Sequence, residues 1–564
     1  MEIPLQPCSR RFDFSPRLGY TPYVMGALEL VVVGPESART HLVDESGREL
    51  WWFGSEPPGG IPTPGAMVKL LQSGDIRLIP PPWAAVVKGA NQEGFWITTD
   101  SIGLQNLFVR ESEGRLFVSS DAIALAGLAP FQIDAIGAYE LMARGNPQGG
   151  RTVFKEVRCL EPATVICCGP EFEERCYWRP PKPTPQSPEH AVALYGQAVR
   201  SAVNRHCREE DAQELTAGRD SLLILAALVA EGRHPRTWTY GTSQDPDMVG
   251  AIERAAHFGV PHQPIFEEPM DALGLSEAIA LLRQFLRASG GMANAVSYRH
   301  LPWVLKQVEG IGSITGVGGE VFRGFYYQWA GKGRLPRWLG RQFLLRGKLR
   351  DAMPFANGIV RAEVAKTGDG MIRDDLREAC QKYENYWYSL DVYYLTHRMH
   401  YFAGTTFSAT GHWRNVRTPL FDPEVIDCLP LIPEDMRQWG GGLARKVTMD
   451  LLQSRELGSQ RGFSDETLAF RALRLAKRCS ELTATLMRGA AEQRARFILT
   501  SDFGKSLLDP ESMITRGLYN PDSLIREVRQ VQSGKAVPFL LGAILTIELA
   551  VREAGGCCRG VHGI

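Results

Sequence analysis

The run Glu214-Leu215-Thr216-Ala217-Gly218-Arg219-Asp220-Ser221-Leu222-Leu223-Ile224-Leu225-Ala226-Ala227-Leu228 restricts the fold more than any other part of the chain. It reads as a short strand, a tight loop of small residues and an apolar helix that stops at Gly232. Thr216, Ala217 and Gly218 carry little side chain, so backbone N–H groups can approach an anion closely. The helix beginning near Asp220 and Ser221 aims its positive dipole end at the same point. Ser221 offers a hydroxyl donor to a phosphate, and Asp220 an oxygen ligand to a metal carried on that phosphate. A Walker loop would end in Gly-Lys-Ser/Thr, which this one does not. An ordinary strand-to-helix turn capped by Asp220 is the alternative reading of the same residues.

At 564 residues the chain has room for roughly two to four domains. Lys plus Arg and Asp plus Glu both number 63, so no global field directs the chain to nucleic acid or to an anionic membrane. No run reaches the ~18 apolar residues of a membrane span, and the best candidate, Phe539 to Val551, is broken by Glu548. Met1-Glu2-Ile3-Pro4 has neither a basic n-region nor an apolar h-region, so the expected location is cytoplasmic. The 11 cysteines contain no CxxC and are scattered, as for reduced thiols. His397 and His400 lie three apart on an expected helix without further ligands at zinc spacing, and read as packed or surface histidines.

Residues 1–178 read as one domain of short strands and turns, including Leu28 to Val33, Ala84 to Val87, Phe95 to Thr98 and Leu116 to Ser119. Residues 179–188, with four prolines before Gln186, read as a stiff extended linker. Ser187-Pro188-Glu189 then supplies an N-cap, an N1 proline and an acidic first turn. Residues 189–556 form the second domain, and 557–564 a frayed tail. Within it, Arg236 to Gly241 predicts a strand, and about Asp247 to Phe258 a helix closed by Gly259. That rhythm belongs to a parallel α/β sheet. A second glycine loop, Thr315-Gly316-Val317-Gly318-Gly319-Glu320, follows the apolar strand at Ile314 and suggests a backbone that passes close to a ligand. Asp245 and Asp247 read as solvated loop carboxylates, and the aromatics from Tyr383 to Tyr401 as core.

Thr216-Ala217-Gly218-Arg219-Asp220-Ser221 resembles the Ser-Gly-Gly-X-Asp-Ser pyrophosphate loop of the asparagine synthetase family, with Thr for Ser and Ala for the first Gly. Thr315 to Val321 resembles that family's Ser-Gly-Glu-Gly-Ala/Ser-Asp-Glu loop, in which Glu320 stands for the magnesium-holding Asp and Val317 and Val321 replace two Glu. Gln460 to Asp465 is similar to its Arg-X-Lys-X-X-Phe-Ser segment, with Arg461 in the place of the Lys and Lys446 as the other candidate cation. Arg417 to Asp422 resembles a structural turn of the family. Thr99 to Phe108, Leu116 to Asp121, and Thr152 to Val157 with Leu160-Glu161-Pro162 resemble pieces of its N-terminal glutaminase domain. That domain's nucleophile is an N-terminal cysteine, and here Glu2 stands in its place, with Cys8 further in.

The resemblance implies an α/β protein. Its first part would be a degenerate, glutaminase-like (Ntn-type) α+β domain without glutamine hydrolysis. Its second would be an ATP-pyrophosphatase-type (adenine nucleotide α-hydrolase-like) parallel-sheet domain with a helical C-terminal part. ATP would bind across Thr216 to Ser221, Tyr240, Gly241, Gly316 and Gly318, with Mg²⁺ between its phosphates and Asp220 and Glu320. A carboxylate would be adenylated with release of pyrophosphate, and an amine would then take the acyl group and expel AMP. The substrates implied are a small-molecule or peptide carboxylate and amine. A precursor peptide and a partner protease enter if the chain is a macrocyclase of the lasso-peptide type. Two alternatives stay open: a non-catalytic relative serving as a binding or assembly module, and an asparagine synthetase fed by ammonia or glutamine.

Overall fold

The computed structural model describes residues 20–25, 28–33, 39–90, 94–168, 172–267, 273–327, 358–437, 442–453, 495–534 and 539–557. Arg461, Glu2, Cys8 and the tail beyond 557 lie outside them. The chain is a mixed α/β protein that contains a five-stranded parallel sheet and many helices.

The first part holds two sheets. One is mixed, in the order β1 (Tyr20–Met25), β2 (Leu28–Val33), β8 (Arg115–Ser119), β7 (Phe108–Ser112), β9 (Arg158–Cys159). The other is antiparallel throughout, in the order β11 (Phe172–Cys176), β10 (Thr164–Cys168), β6 (Phe95–Thr99), β5 (Trp83–Lys88), β4 (Glu49–Gly54), β3 (Arg39–Val43). Strand β4 shows why both faces are apolar. Alternate residues point to opposite sides of a strand. Trp51 and Phe53 therefore enter the core shared with Val109, Leu116 and Val118 of the other sheet. Leu50 and Trp52 pack instead on Met67, Val68 and Leu71 of the helix Pro64–Ser73. The outer face of the mixed sheet is covered by the helices Ala122–Ala126 and Ala135–Arg144.

The second part is built on the parallel sheet β14 (His262–Phe266), β13 (Arg236–Gly241), β12 (Ala212–Glu214), β15 (Gly312–Ile314), β16 (Asn415–Arg417). From β12 the chain winds outward through β13 and β14, then returns to lay β15 and β16 on the other side of β12. The winding therefore reverses between β12 and β15, which in open α/β sheets is where ligands bind, beyond the carboxyl ends of the strands. The helix Arg219–Ala230 is buried almost all round. It packs between the helix Pro188–His206 and the helix Gly442–Gln453. That explains its lack of a polar stripe.

β12 and the Asp211 before it are more polar than a buried parallel strand normally is, and Gln213 and Asp211 each have a task. Gln213 donates to the Ser221 carbonyl at 2.6 Å, tying the strand to the first turn of the helix. Asp211 accepts from Arg417 Nε at 3.3 Å and from the Arg208 N–H at 3.0 Å.

The proline-rich segment is extended, as its composition predicts, but it is docked along its length. Thr184 and Gln186 donate N–H groups to the carbonyls of Pro430 and Leu431, and Tyr383 and Tyr388 donate to those of Pro180 and Pro181. A spacer is replaced by a strap, because prolines leave their carbonyls available to outside donors. Ser187 caps the following helix, with Pro188 in its first turn. Nor does packing break at residue 178. A single apolar cluster includes Phe108, Phe154, Leu225 and Tyr401. Arg417 donates to the Glu56 carbonyl, Val416 to Ser55 Oγ, Thr418 to the Pro81 carbonyl, and Asn106 to Ser408 Oγ. His397 and His400 sit on a π-helix, Tyr394–Ala403, inside this packing. Burial lowers both imidazoles, and His400 bonds the Gly103 carbonyl at 2.6 Å. Among the described residues no helix is long and apolar enough to cross a membrane. Glu548 on the helix Phe539–Cys557 is buried, accepting from the N–H groups of Ile514 and Thr515.

Asp422 anchors the turn after β16. Burial alone would raise its carboxyl, but His206 at 2.9 Å and Arg205 at 2.7 Å hold it below the usual carboxylate range. A depressed carboxylate contributes stability that is complete above its unfolded value near 4 and fades as pH falls through the folded one. Asp422→Asn should therefore cost on the order of 3 kcal/mol near neutrality. In denaturant melts across pH, the gap to the unmodified protein should hold above about pH 5 and narrow below about pH 4. A gap independent of pH would contradict this account.

Candidate functional site

The loops after β12 and β15 meet at the reversal point. Contact is possible because the second loop lacks side chains where it crosses the first. A Cβ on Gly316 would lie 2.7 Å from the Ser221 backbone nitrogen, and one on Gly319 would overlap the Asp220 carboxyl group. Gly318 has φ of +111°, a backbone conformation costly for any residue with a Cβ. A Cβ there would also press on Phe421 at 3.0 Å, so the turn after β16 backs this loop.

The first loop is held from three sides. Ser221 Oγ accepts the Thr216 N–H at 3.2 Å, and Thr216 Oγ1 accepts that of Gly218 at 3.0 Å. Asp247 accepts the Ala217 N–H at 3.0 Å, so this residue is a fastening of the loop where the sequence suggested a solvated carboxylate. Arg254 reaches from the helix Pro246–Phe258 to the carbonyls of Thr216 and Gly218. The amides of 216, 217 and 218 are thus committed inside the protein. The helix that opens at Gly218 has no side-chain cap, and its N-terminus carries the positive end of the helix dipole.

Asp220 and Glu320 converge on one nitrogen. A terminal guanidinium nitrogen of Arg323 lies 2.7 Å from Asp220 Oδ2 and 3.2 Å from Glu320 Oε1. Glu320 and Arg323 lie on the 3₁₀ turn Gly319–Arg323, where residues three apart eclipse. Burial pushes the Asp220 carboxyl up, and Glu320 adds to this, while Arg323 pulls it down. Asp220 Oδ1, Arg323 Nε and the Tyr195 hydroxyl are buried without a protein hydrogen-bond partner. Tyr195 belongs to the helix Pro188–His206 and is electrostatically coupled to Asp220, Arg323 and Glu320.

Among the described residues no group of three or more His, Cys, Asp or Glu could form a metal cage. Two hard-oxygen carboxylates, one with an unpartnered oxygen, are the donor set with which Mg²⁺ is held when phosphates supply the remaining ligands. The residues present fit such an ion, with Arg323 standing where its charge would go.

Tyr240, at the end of β13, stacks on His300 at 5.0 Å and 7°, and its hydroxyl donates to Glu267 at 3.1 Å. Burial, with Arg299 nearby, lowers His300 to about 4 and keeps its ring neutral. Gly241 passes Asp245 closely and accepts the Glu267 N–H. Lys446 is exposed on the helix Gly442–Gln453, which packs on the Gly319–Arg323 turn. The cation bonded to the two carboxylates is Arg323. Sequence reasoning passed over Arg323, Tyr195, Arg254 and His300, and took Gly319 only as one member of the second glycine loop. Only Arg323 left a signal, its spacing of three from Glu320.

The fold and site together describe a parallel α/β protein with paired glycine loops and a carboxylate pair at its reversal point. No family model matches the chain, and no curated protein matches it. Among solved structures, it matches NMN synthetase from Francisella tularensis at 14% identity, covering 38% of this chain and 95% of that one, with a TM-score of 0.19. A likeness at that score carries no functional weight.

The loop contact predicts a contrast between glycines. Gly316→Ala should cost about 1–3 kcal/mol through overpacking, since the atom it meets is backbone. Gly370→Ala, in open space on the helix Ala362–Ala379, should stabilise by about 0.5–1 kcal/mol. Denaturant unfolding of both variants checks the pair.

Proposed function

We propose that this protein is an asparagine synthetase-like, ATP-dependent enzyme that activates a carboxylate as its adenylate and passes the acyl group to an amine. The observation that carries the reading is the meeting of Asp220 and Glu320, from two glycine loops, at the reversal point of the sheet. ATP would lie with its phosphates beside the first turn of the helix Arg219–Ala230 and the Asp220–Glu320 pair, and its base toward Tyr240. Mg²⁺ would be held by Asp220 and Glu320, neutralising phosphate charge as it develops. The chain's own residues supply position. Arg254, Asp247 and Ser221 fix the loop, Gln213 fixes the helix start, and the Arg323 guanidinium offers donors to phosphate oxygens. Arg461 and Lys446 remain the candidates for the cation on the departing pyrophosphate. Residues 1–178 would be a glutaminase-like domain, and the nitrogen would come from a bound amine or free ammonia. Amide synthesis of this kind includes peptide macrocyclisation of the lasso type and asparagine formation.

A second reading, a non-catalytic binding or assembly module, is favoured by the committed amides of residues 216 to 218 and by the arginine seated between the carboxylates.

The deciding experiment is ATP-dependent pyrophosphate release with Mg²⁺ over carboxylate–amine pairs and candidate precursor peptides. Release is expected for one pair, and Asp220→Ala should lower it at least about 100-fold, or ~2.7 kcal/mol of transition-state stabilisation. Calorimetry with ATP separates the two readings when every pair is silent. Absence of ATP binding would sink the enzyme.

A further inference from the structure

Arg323 stands where a metal's charge would stand, and three features say that it is held there for exchange. It is bonded through one terminal nitrogen to both carboxylates, while its buried Nε lacks a protein partner. Asp220 keeps Oδ1 unpartnered beside it, and the Tyr195 hydroxyl, wholly buried, is unpartnered in the same electrostatic cluster. Buried polar atoms without partners are costly and seldom retained unless something else satisfies them. Removing the guanidinium would leave two adjacent carboxylates, one of them buried, without a counter-charge. A guanidinium cannot leave by losing its proton, so only a stronger anion draws it away. A polyphosphate is such an anion, because guanidinium forks grip phosphate oxygens two at a time.

We propose that Arg323 is the resident cation of the Asp220–Glu320 pair and makes divalent-metal binding conditional on a polyphosphate. Without polyphosphate the guanidinium holds both carboxylates and keeps the ion out. With it, the guanidinium moves to phosphate oxygens and frees Asp220 and Glu320 for the ion. That the polyphosphate belongs to ATP rests on the function proposed above, whereas the exclusion of metal by Arg323 does not.

The test is Mn²⁺ binding to the full-length protein, followed by the electron paramagnetic resonance of the free ion. With no nucleotide, Arg323→Met should bind Mn²⁺ at least about tenfold more tightly than the unmodified protein, and Asp220→Asn in the same chain should erase the gain. Arg323→Lys, which keeps a cation, should stay close to the unmodified protein. A non-hydrolysable ATP analogue with an imido bridge, or inorganic tripolyphosphate, should tighten Mn²⁺ binding to the unmodified protein at least about tenfold, and less in Arg323→Met. Equal affinity of the unmodified protein and Arg323→Met for Mn²⁺ alone overturns the proposal. If Arg323→Met does not fold, the unmodified protein decides alone, since tight Mn²⁺ binding without polyphosphate also overturns it. Coupling to tripolyphosphate but not to the ATP analogue would keep the proposal and sink the nucleotide reading.

Discussion

Backbone contact between Gly316–Gly319 and the first turn of the helix Arg219–Ala230 is the constraint on which the site depends. The strands β12 and β15 are adjacent and parallel, so the loops leaving them start side by side. They can close on each other only because Gly316 and Gly319 present no Cβ where Ser221 and Asp220 lie. Once closed, they leave two carboxylates facing each other, a charge conflict in a buried place. Arg323 resolves it, and the 3₁₀ turn delivers Arg323 to the same side as Glu320. Loop contact, carboxylate pair and arginine are consequences of one another.

The strand–loop–helix at residues 214–228 was legible because each part has a local cause. Small residues permit the turn, a continuous apolar run gives a buried helix, and Gly232, with φ of +77°, provides its stop. The helix Pro246–Phe258 was legible for the same reason, with Asp245 as cap and Gly259 in the left-handed region at its end. Asp220 could be read as an oxygen donor from its place at the helix start, whereas Glu320 was named only through the resemblance of its loop. What could not be read is whatever depends on distant partners. Nothing near Asp247 says that it fastens Ala217, thirty residues upstream, nor does anything near Tyr195 say that it shares the electrostatic surroundings of Asp220. The polarity of β12 and of Asp211 before it is not explained by anything local. Its cause is non-local, because Gln213 and Asp211 serve the helix start and Arg417. The prolines of residues 180–185 announce extension, but the tyrosines that bind them lie two hundred residues away.

The same non-local bonds give the first part of the chain a mechanical role. Gly318 rests on Phe421 and Leu420. That turn is anchored on one side by Asp422 to Arg205 and His206. On the other side Arg417 donates to the Glu56 carbonyl, Thr418 to the Pro81 carbonyl and Val416 to Ser55. The second glycine loop is therefore supported from behind by a turn whose own hydrogen bonds end in residues 55–81. Interiors this densely packed transmit displacement and do not absorb it, so a shift of the first part would move the floor beneath Gly318 and, through it, the spacing of Asp220 and Glu320. Residues 55–81 of the first part thereby help to hold the two glycine loops of the second at their separation.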